Sequence, residues 1–164
     1  MIQSQKGLGP TIIGSEEWCE FSQLGIPAIL ARIDSGAKTS SIQATNIKLL
    51  RRNDEDWVSF VVHPLKRNSS ISVTCSAKLV DKRSIKSSIG ISEERLIINT
   101  SITIGKESFD IELSLANRST MAFKMLLGRE AMANRYLINP AQKCLQNAYT
   151  KKELLEKYKS RPST

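Results

Sequence analysis

From Thr11 onward, short apolar or alternating runs are separated by turn-forming residues. Period-2 alternation and frequent β-branched residues predict strands rather than helices. The pattern places strands at Pro27–Ile33, Ile42–Leu50, Trp57–His63, Ser70–Ala77, Arg95–Ile104, Ser108–Leu115 and Met121–Leu127. Ile102-Thr103-Ile104 and Ile111-Glu112-Leu113 alternate most cleanly, and Gly105-Lys106-Glu107 between them reads as a hairpin turn. Two segments read as helical: Arg129–Asn134, directly after Gly128, and the charged stretch Lys151–Lys159, expected as a solvated helix. Many short strands with turns between them point to an all-β sandwich or barrel. No repeat or linker divides the middle of the chain. The expected organisation is a loose N-terminus over 1–10, one domain over 11–149 and a basic tail over 150–164.

The length of 164 residues fits one domain. With 5% aromatic residues in a 40% hydrophobic composition, the core must rest on Ile, Leu and Val. No stretch approaches the roughly 20 apolar residues of a membrane span, and Met1–Gly7 lacks the apolar centre of a secretory signal. These features lead to the expectation of a cytoplasmic protein. Cys19, Cys75 and Cys144 are scattered and odd in number, which fits a reducing compartment better than a disulfide framework. The net charge of +8 favours acidic partners. Nucleic acid is not indicated, because the chain has no zinc finger, no aromatic-bearing RNA motif and no long Lys/Arg block.

The chemistry centres on Ala31-Arg32-Ile33-Asp34-Ser35-Gly36-Ala37, an apolar strand that ends on one acid, then a hydroxyl, then a glycine. Such a run holds a single carboxylate on a tight turn. Asp, Ser and Gly also favour turns for purely local reasons, so the run alone does not separate a site from a plain turn. Two further segments bear on it. Ser84–Ile91 carries small residues around Ile89, as a mobile hairpin tip does. Met125-Leu126-Leu127-Gly128-Arg129 is an apolar pair followed by Gly-Arg.

In this order, the three segments resemble the layout of the retropepsin-like aspartic peptidases. The chain is more closely similar to the bacterial family long labelled ATP-dependent zinc protease. The resemblance runs from Gly14 to Leu145 and is carried by Ala31–Ser40, Val61–Leu65, Val73-Thr74-Cys75, Asn117–Phe123 and Met125–Ala131. It implies an acid-protease closed barrel with one short helix and a C-terminal helical tail. It also implies that Asp34 is the catalytic aspartate, Ser35 the hydroxyl bracing its turn, and Gly36 the residue that tightens the turn and admits substrate backbone. Leu126, Leu127 and Gly128 match the strand packed behind the loop, with Arg129 following. Ser87, Ser88, Ile89 and Gly90 match the flap tip, with serines where a flap prefers glycine. Ala37 and Lys38 would stand beside bound substrate.

The implied chemistry is water activated by two carboxylates that share a proton. The chain has one Asp-Ser-Gly, so the resemblance requires a homodimer in which each subunit supplies Asp34. Retroviral enzymes carry an acid directly after the Asp-Thr-Gly-Ala turn; here that place holds Lys38, which with Arg129 would favour acidic substrates. Members of the family often sit beside ATP-grasp glutamate ligases, which makes a Glu-rich peptide or tail the expected substrate and such a ligase an expected partner. A zincin motif would need two histidines on a helix; the chain has only His63, followed by Pro64. No phosphate-binding loop is present either, so the residues support neither zinc nor ATP as a cofactor. Two other readings remain open: a non-catalytic barrel that holds an acidic tail or a ligase, and a hydrolase that trims added glutamates.

Overall fold

The structure is a computed structural model that describes residues 9–86, 89–117 and 122–161. The strands are β1 (Thr11–Ile13), β2 (Glu16–Phe21), β3 (Ile26–Ile33), β4 (Ser40–Gln43), β5 (Thr45–Arg52) and β6 (Glu55–Val62). They continue with β7 (Val73–Lys86), β8 (Ser92–Ile104), β9 (Glu107–Ala116), β10 (Met125–Leu127) and β11 (Tyr136–Ile138). The helices are α1 (Arg129–Met132) and α2 (Lys151–Lys159). The fold is all-β, as the alternation predicts.

Strands β2-β3-β10-β4-β9-β8 follow one another side by side, and Glu20 of β2 pairs with Thr103 of β8 to close them into a barrel. A bulge makes this closure possible. Between Cys19↔Ile29 and Phe21↔Ile26 the β2–β3 register shifts at Pro27, which has no N–H to give to a ladder. Glu20 is thereby left to pair with β8. Strands β7, β6 and β5 continue outward from β8, and β1 pairs with β11 in a separate parallel ribbon. Ile13, Ile26, Ile29, Ile42, Ile98, Ile102 and Leu113 are fully buried in the core, and Phe21, Phe60, Tyr136 and Tyr158 add buried rings.

Several elements depart from the sequence expectation. Ile42–Leu50 is two strands, not one. The ladder breaks at Ala44, and Asn46 adopts a left-handed backbone (φ 51) where β5 swings onto the outer sheet. Ser70–Ala77 is the start of a strand that runs on to Lys86, since β7 leaves the barrel and is exposed along most of its second half. Of Met121–Leu127, only Met125–Leu127 is strand, and Met121 lies outside the described residues. The expected Arg129–Asn134 helix stops at Met132. β1, β2 and β11 have no counterpart in the expected strands.

β2 is hidden in the sequence because its inward positions are Glu17, Cys19 and Phe21. Glu17 is fully buried, and its carboxylate accepts backbone N–H bonds from Gly14 (2.7 Å), Leu145 (2.9 Å) and Gln146 (3.0 Å). Three donors replace the water it loses, so a charged residue can occupy a core position. The tail helix is also more than a solvated helix. Thr150 and Glu153 form a capping box at its start, and the buried Tyr158 donates its hydroxyl proton to the Ala28 carbonyl, beside the Pro27 bulge. All three cysteines are free thiols; Cys19 and Cys75 are buried, and burial pushes the Cys75 thiol up to about 12.

Among the described residues, no helix is long and apolar enough to cross a membrane. The loose N-terminus expected over 1–10 lies mostly outside the described residues.

Candidate functional site

Asp34 stands at the end of β3, where the strand leaves its ladder. Its backbone N–H donates to the Leu127 carbonyl (2.9 Å), one residue beyond the parallel β3–β10 pairing of Ala31↔Met125, Arg32↔Leu126 and Ile33↔Leu127. A β-turn closes when the Ala37 N–H donates to the Asp34 carbonyl at 3.2 Å. The side chain joins in, as Asp34 Oδ1 accepts from the Gly36 N–H at 3.0 Å. One carboxylate oxygen is thus fixed and the other makes no hydrogen bond among the described residues. Asp34 is half-buried, and Ser35 and Gly36 are exposed.

Gly36 is a glycine for a reason other than backbone freedom. Its φ is not positive, and a Cβ here would lie 3.2 Å from Asp34 Oδ1. The missing side chain lets the carboxylate reach the N–H. Gly128 is tighter still: a Cβ there would meet the Thr39 carbonyl carbon at 2.8 Å and the Ala37 oxygen at 2.9 Å. The Asp34 turn therefore lies directly on the Gly128 backbone.

Three donors that follow β10 hold the far side of the turn. The Gly128 N–H donates to Ser40 Oγ (3.0 Å), the Arg129 N–H to the Ala37 carbonyl (2.8 Å) and the Glu130 N–H to the Lys38 carbonyl (3.2 Å). The Arg129 guanidinium donates to the Gly36 carbonyl at 3.1 Å and reaches the Ser35 carbonyl at 3.5 Å. Arg129 is therefore a brace of the turn's own backbone. Within this chain the bracing hydroxyl is that of buried Ser40, which the sequence reading passes over although it closes the run Ala31–Ser40. The Ser35 hydroxyl makes no hydrogen bond among the described residues.

Lys38 is exposed, and its charge is felt at Glu112 of β9. Glu112 accepts both guanidinium N–H bonds of Arg83 from β7, at 2.6 and 2.9 Å, and Arg83 also donates to Asp81 at 2.6 Å. The Arg83 hydrogen bonds hold the Glu112 carboxyl below its ordinary 4.5, with Lys38 adding a smaller push the same way. The Arg83 bond likewise lowers Asp81. Arg83, Glu112 and Asp81 tie the stem of the β7–β8 hairpin to the barrel beside Lys38. Sequence reasoning misses them because no local pattern links positions on β7 and β9.

The hairpin ladder ends at Lys86↔Ser92. Ile89 (78% exposed) and Gly90 (φ 84) stand beyond it, while Ser87 and Ser88 lie outside the described residues. No hydrogen bond links the tip to the Asp34 turn among the described residues. The structure thus brings Asp34, Ser35, Gly36 and Ala37 together with Leu127, Gly128 and Arg129, while Leu126 pairs with Ser41 on the next strand. His63 directly follows β6, which ends at Val62 and not at His63 as expected, and donates from Nδ1 to the Ser69 carbonyl at 3.1 Å, a local bond.

Comparison with known proteins places this geometry in context. Residues 12–149 match the RimB-like family, described as retropepsin-like aspartic endopeptidase RimB. Two curated relatives are named as probable alpha-L-glutamate ligases. The one from Desulfotalea psychrophila is 54% identical over 87% of this chain and 32% of its own length. The one from Shewanella pealeana is 53% identical over 80% of this chain and 29% of its own length. The chain therefore spans about a third of the length of these relatives. A solved structure, a protein of unknown function from Legionella pneumophila, superposes with a TM-score of 0.69 at 25% identity, covering 84% of this chain and 98% of that one.

Proposed function

We propose a function from one premise: the chain belongs to the RimB-like family of retropepsin-like aspartic endopeptidases. In our reading it is an aspartic peptidase that works as a homodimer, with Asp34 from each subunit flanking one water. The observation that carries this reading is the Asp34 carboxylate on its locked turn, one oxygen fixed by the Gly36 N–H and the other without a hydrogen bond among the described residues. A rigid acid with a free oxygen suits general acid–base work. The sequence holds one Asp-Ser-Gly, so the second carboxylate comes from a second copy.

Of two close carboxylates, one is ionised and one keeps the shared proton. The ionised group removes a proton from water as the water oxygen bonds to the scissile carbonyl carbon. The protonated group donates to the carbonyl oxygen. The tetrahedral adduct then breaks its C–N bond: the leaving nitrogen takes the proton from the first carboxyl, and one hydroxyl of the adduct returns its proton to the second carboxylate as the new carboxyl group forms. Arg129 and Gly128 serve by holding the turn, and the Ser35 hydroxyl is free to brace the partner's turn. The net charge of +8, exposed Lys38, and relatives named as glutamate ligases support a Glu-rich peptide or tail as substrate.

The test is hydrolysis of Glu-rich and neutral peptides by wild type and by Asp34→Asn, together with sedimentation. Expected are a dimer, a preference for the acidic peptide, and a loss of about a hundredfold or more in the variant. Undiminished hydrolysis by Asp34→Asn, or full activity in a strict monomer, would overturn the reading.

The relatives' names favour a second reading. A barrel that makes up about a third of chains named glutamate ligases also fits a module that holds an acidic tail or the ligase itself. Peptide binding that survives Asp34→Asn, in a wild type that cleaves nothing, would select it.

A further inference from the structure

We propose that a groove outside the Asp34 turn is a docking site for an acidic protein segment that carries one large apolar side chain. The groove, about 640 Å³, lies between the outer face of β2–β3, the loop after β6 and helix α2. Trp18 and Leu30 pair across the β2–β3 ladder. They face outward because their neighbours Glu17, Cys19, Ile29 and Ala31 are the buried positions. Phe123 completes this floor, and α2, pinned through Tyr158, adds Leu154 and Leu155. None of these five side chains is fully buried.

The rim has the opposite character. Lys66, Arg67, Lys124 and Lys151 line it, and among the described residues none of the four is in an ion pair. The one acid, Glu16, already has Lys143 at 3.8 Å. Charge complementarity therefore calls for a polyanionic occupant, and the floor calls for an apolar anchor. A purely acidic chain would leave Trp18, Leu30 and Phe123 uncovered. A neutral apolar peptide would crowd four cations without pairing them.

The groove is distinct from the turn yet directed at it. Leu30 and Arg32 alternate onto one face of β3, Arg32 stacks over Phe123 at 5.8 Å, and Asp34 follows. Four extended residues span roughly 13 Å, so the anchor sits beside the turn and not in it. Docking here is independent of whether Asp34 cleaves a bond.

The chain has two tryptophans, so Trp57→Phe leaves Trp18 as the sole reporter on the groove floor. Three twelve-residue peptides serve as probes: one rich in Glu with a central Leu, one of equal charge without the Leu, and one with the Leu but Gln in place of Glu. The first is expected to shift Trp18 emission saturably and to bind at least tenfold tighter than either control. Its binding should weaken at least tenfold in Lys66→Glu/Arg67→Glu, or in Lys151→Glu should the double variant not fold. Equal binding of the oligoglutamate would reduce the site to charge alone and overturn the proposal. So would equal binding of the neutral peptide, or Trp18 emission unmoved by all three.

Discussion

Ser40 accepts the backbone N–H of Gly128 across 88 positions of sequence, and this bond seats the Asp34 turn against β10. Both groups are buried. Ser40→Ala strands the Gly128 N–H, which should destabilise the fold by about 1–3 kcal/mol. Ser40→Thr, which keeps the hydroxyl, should lose less. Urea unfolding of the two variants measures the difference. Gly128→Ala should be at least as damaging, about 1–3 kcal/mol or more, since its Cβ would press on backbone atoms with no side chain to swing away.

Gly36→Ala separates stability from chemistry. The backbone there suits an alanine, so the melting temperature should hardly move. The new Cβ, 3.2 Å from Asp34 Oδ1, should push the carboxylate off the N–H. Under the proposed function, peptide hydrolysis should fall at least tenfold in a variant whose thermal melt matches wild type.

The Arg83–Glu112 clamp carries a pH dependence. Its carboxyl is held below the ordinary 4.5, so the bound form favours the ionised state. The stability this adds is present above about 4.5 and is lost as pH falls through the lowered value. The protection of amides in β7 and β8 near Arg83, relative to their intrinsic exchange rates, should therefore fall in acid. Glu112→Gln should show fast exchange already at neutral pH and little further change. A wild-type hairpin whose protection is flat from neutral pH to about 3 would count against the clamp.

Tyr158→Phe tests the docking of α2. The ring stays packed while the Ala28 carbonyl loses its donor, so a loss of about 1 kcal/mol is expected in denaturant unfolding. The tail should also become easier to clip by protease near Thr150. Burial pushes the Tyr158 hydroxyl upward, so it keeps its proton and this bond through the neutral and mildly alkaline range.

The parts of the fold that could be read from the sequence are those in which one face of a strand meets the core. Ile102–Ile104 of β8 and Ile111–Leu113 of β9 alternate, and these strands and the Gly105-Lys106 turn stand where alternation puts them. The pattern fails where other forces rule. β2 hides behind Glu17, whose charge is satisfied by backbone donors brought from far along the chain. β10 is three residues long, and its place between β3 and β4 has no local signature. The second half of β7 has no buried face to produce a period. At the site, the Asp34 turn and its Leu-Leu-Gly-Arg partner were recognisable as segments. Ser40, Glu112 and Arg83 were not, because their roles depend on pairings between distant strands.

The parallel seating of β10 beside β3 also orders events in time. Residues 26 to 37 contain every atom of the Asp34 turn, yet its outer bonds come from Leu127 and Arg129. Local β-structure can form early, but contacts of such sequence separation form slowly, after long loops have closed. The turn therefore takes its final shape only when β10 slots between β3 and β4. A nascent or partly folded chain carries the aspartate but not the geometry, so the turn is completed only by closure of the barrel itself.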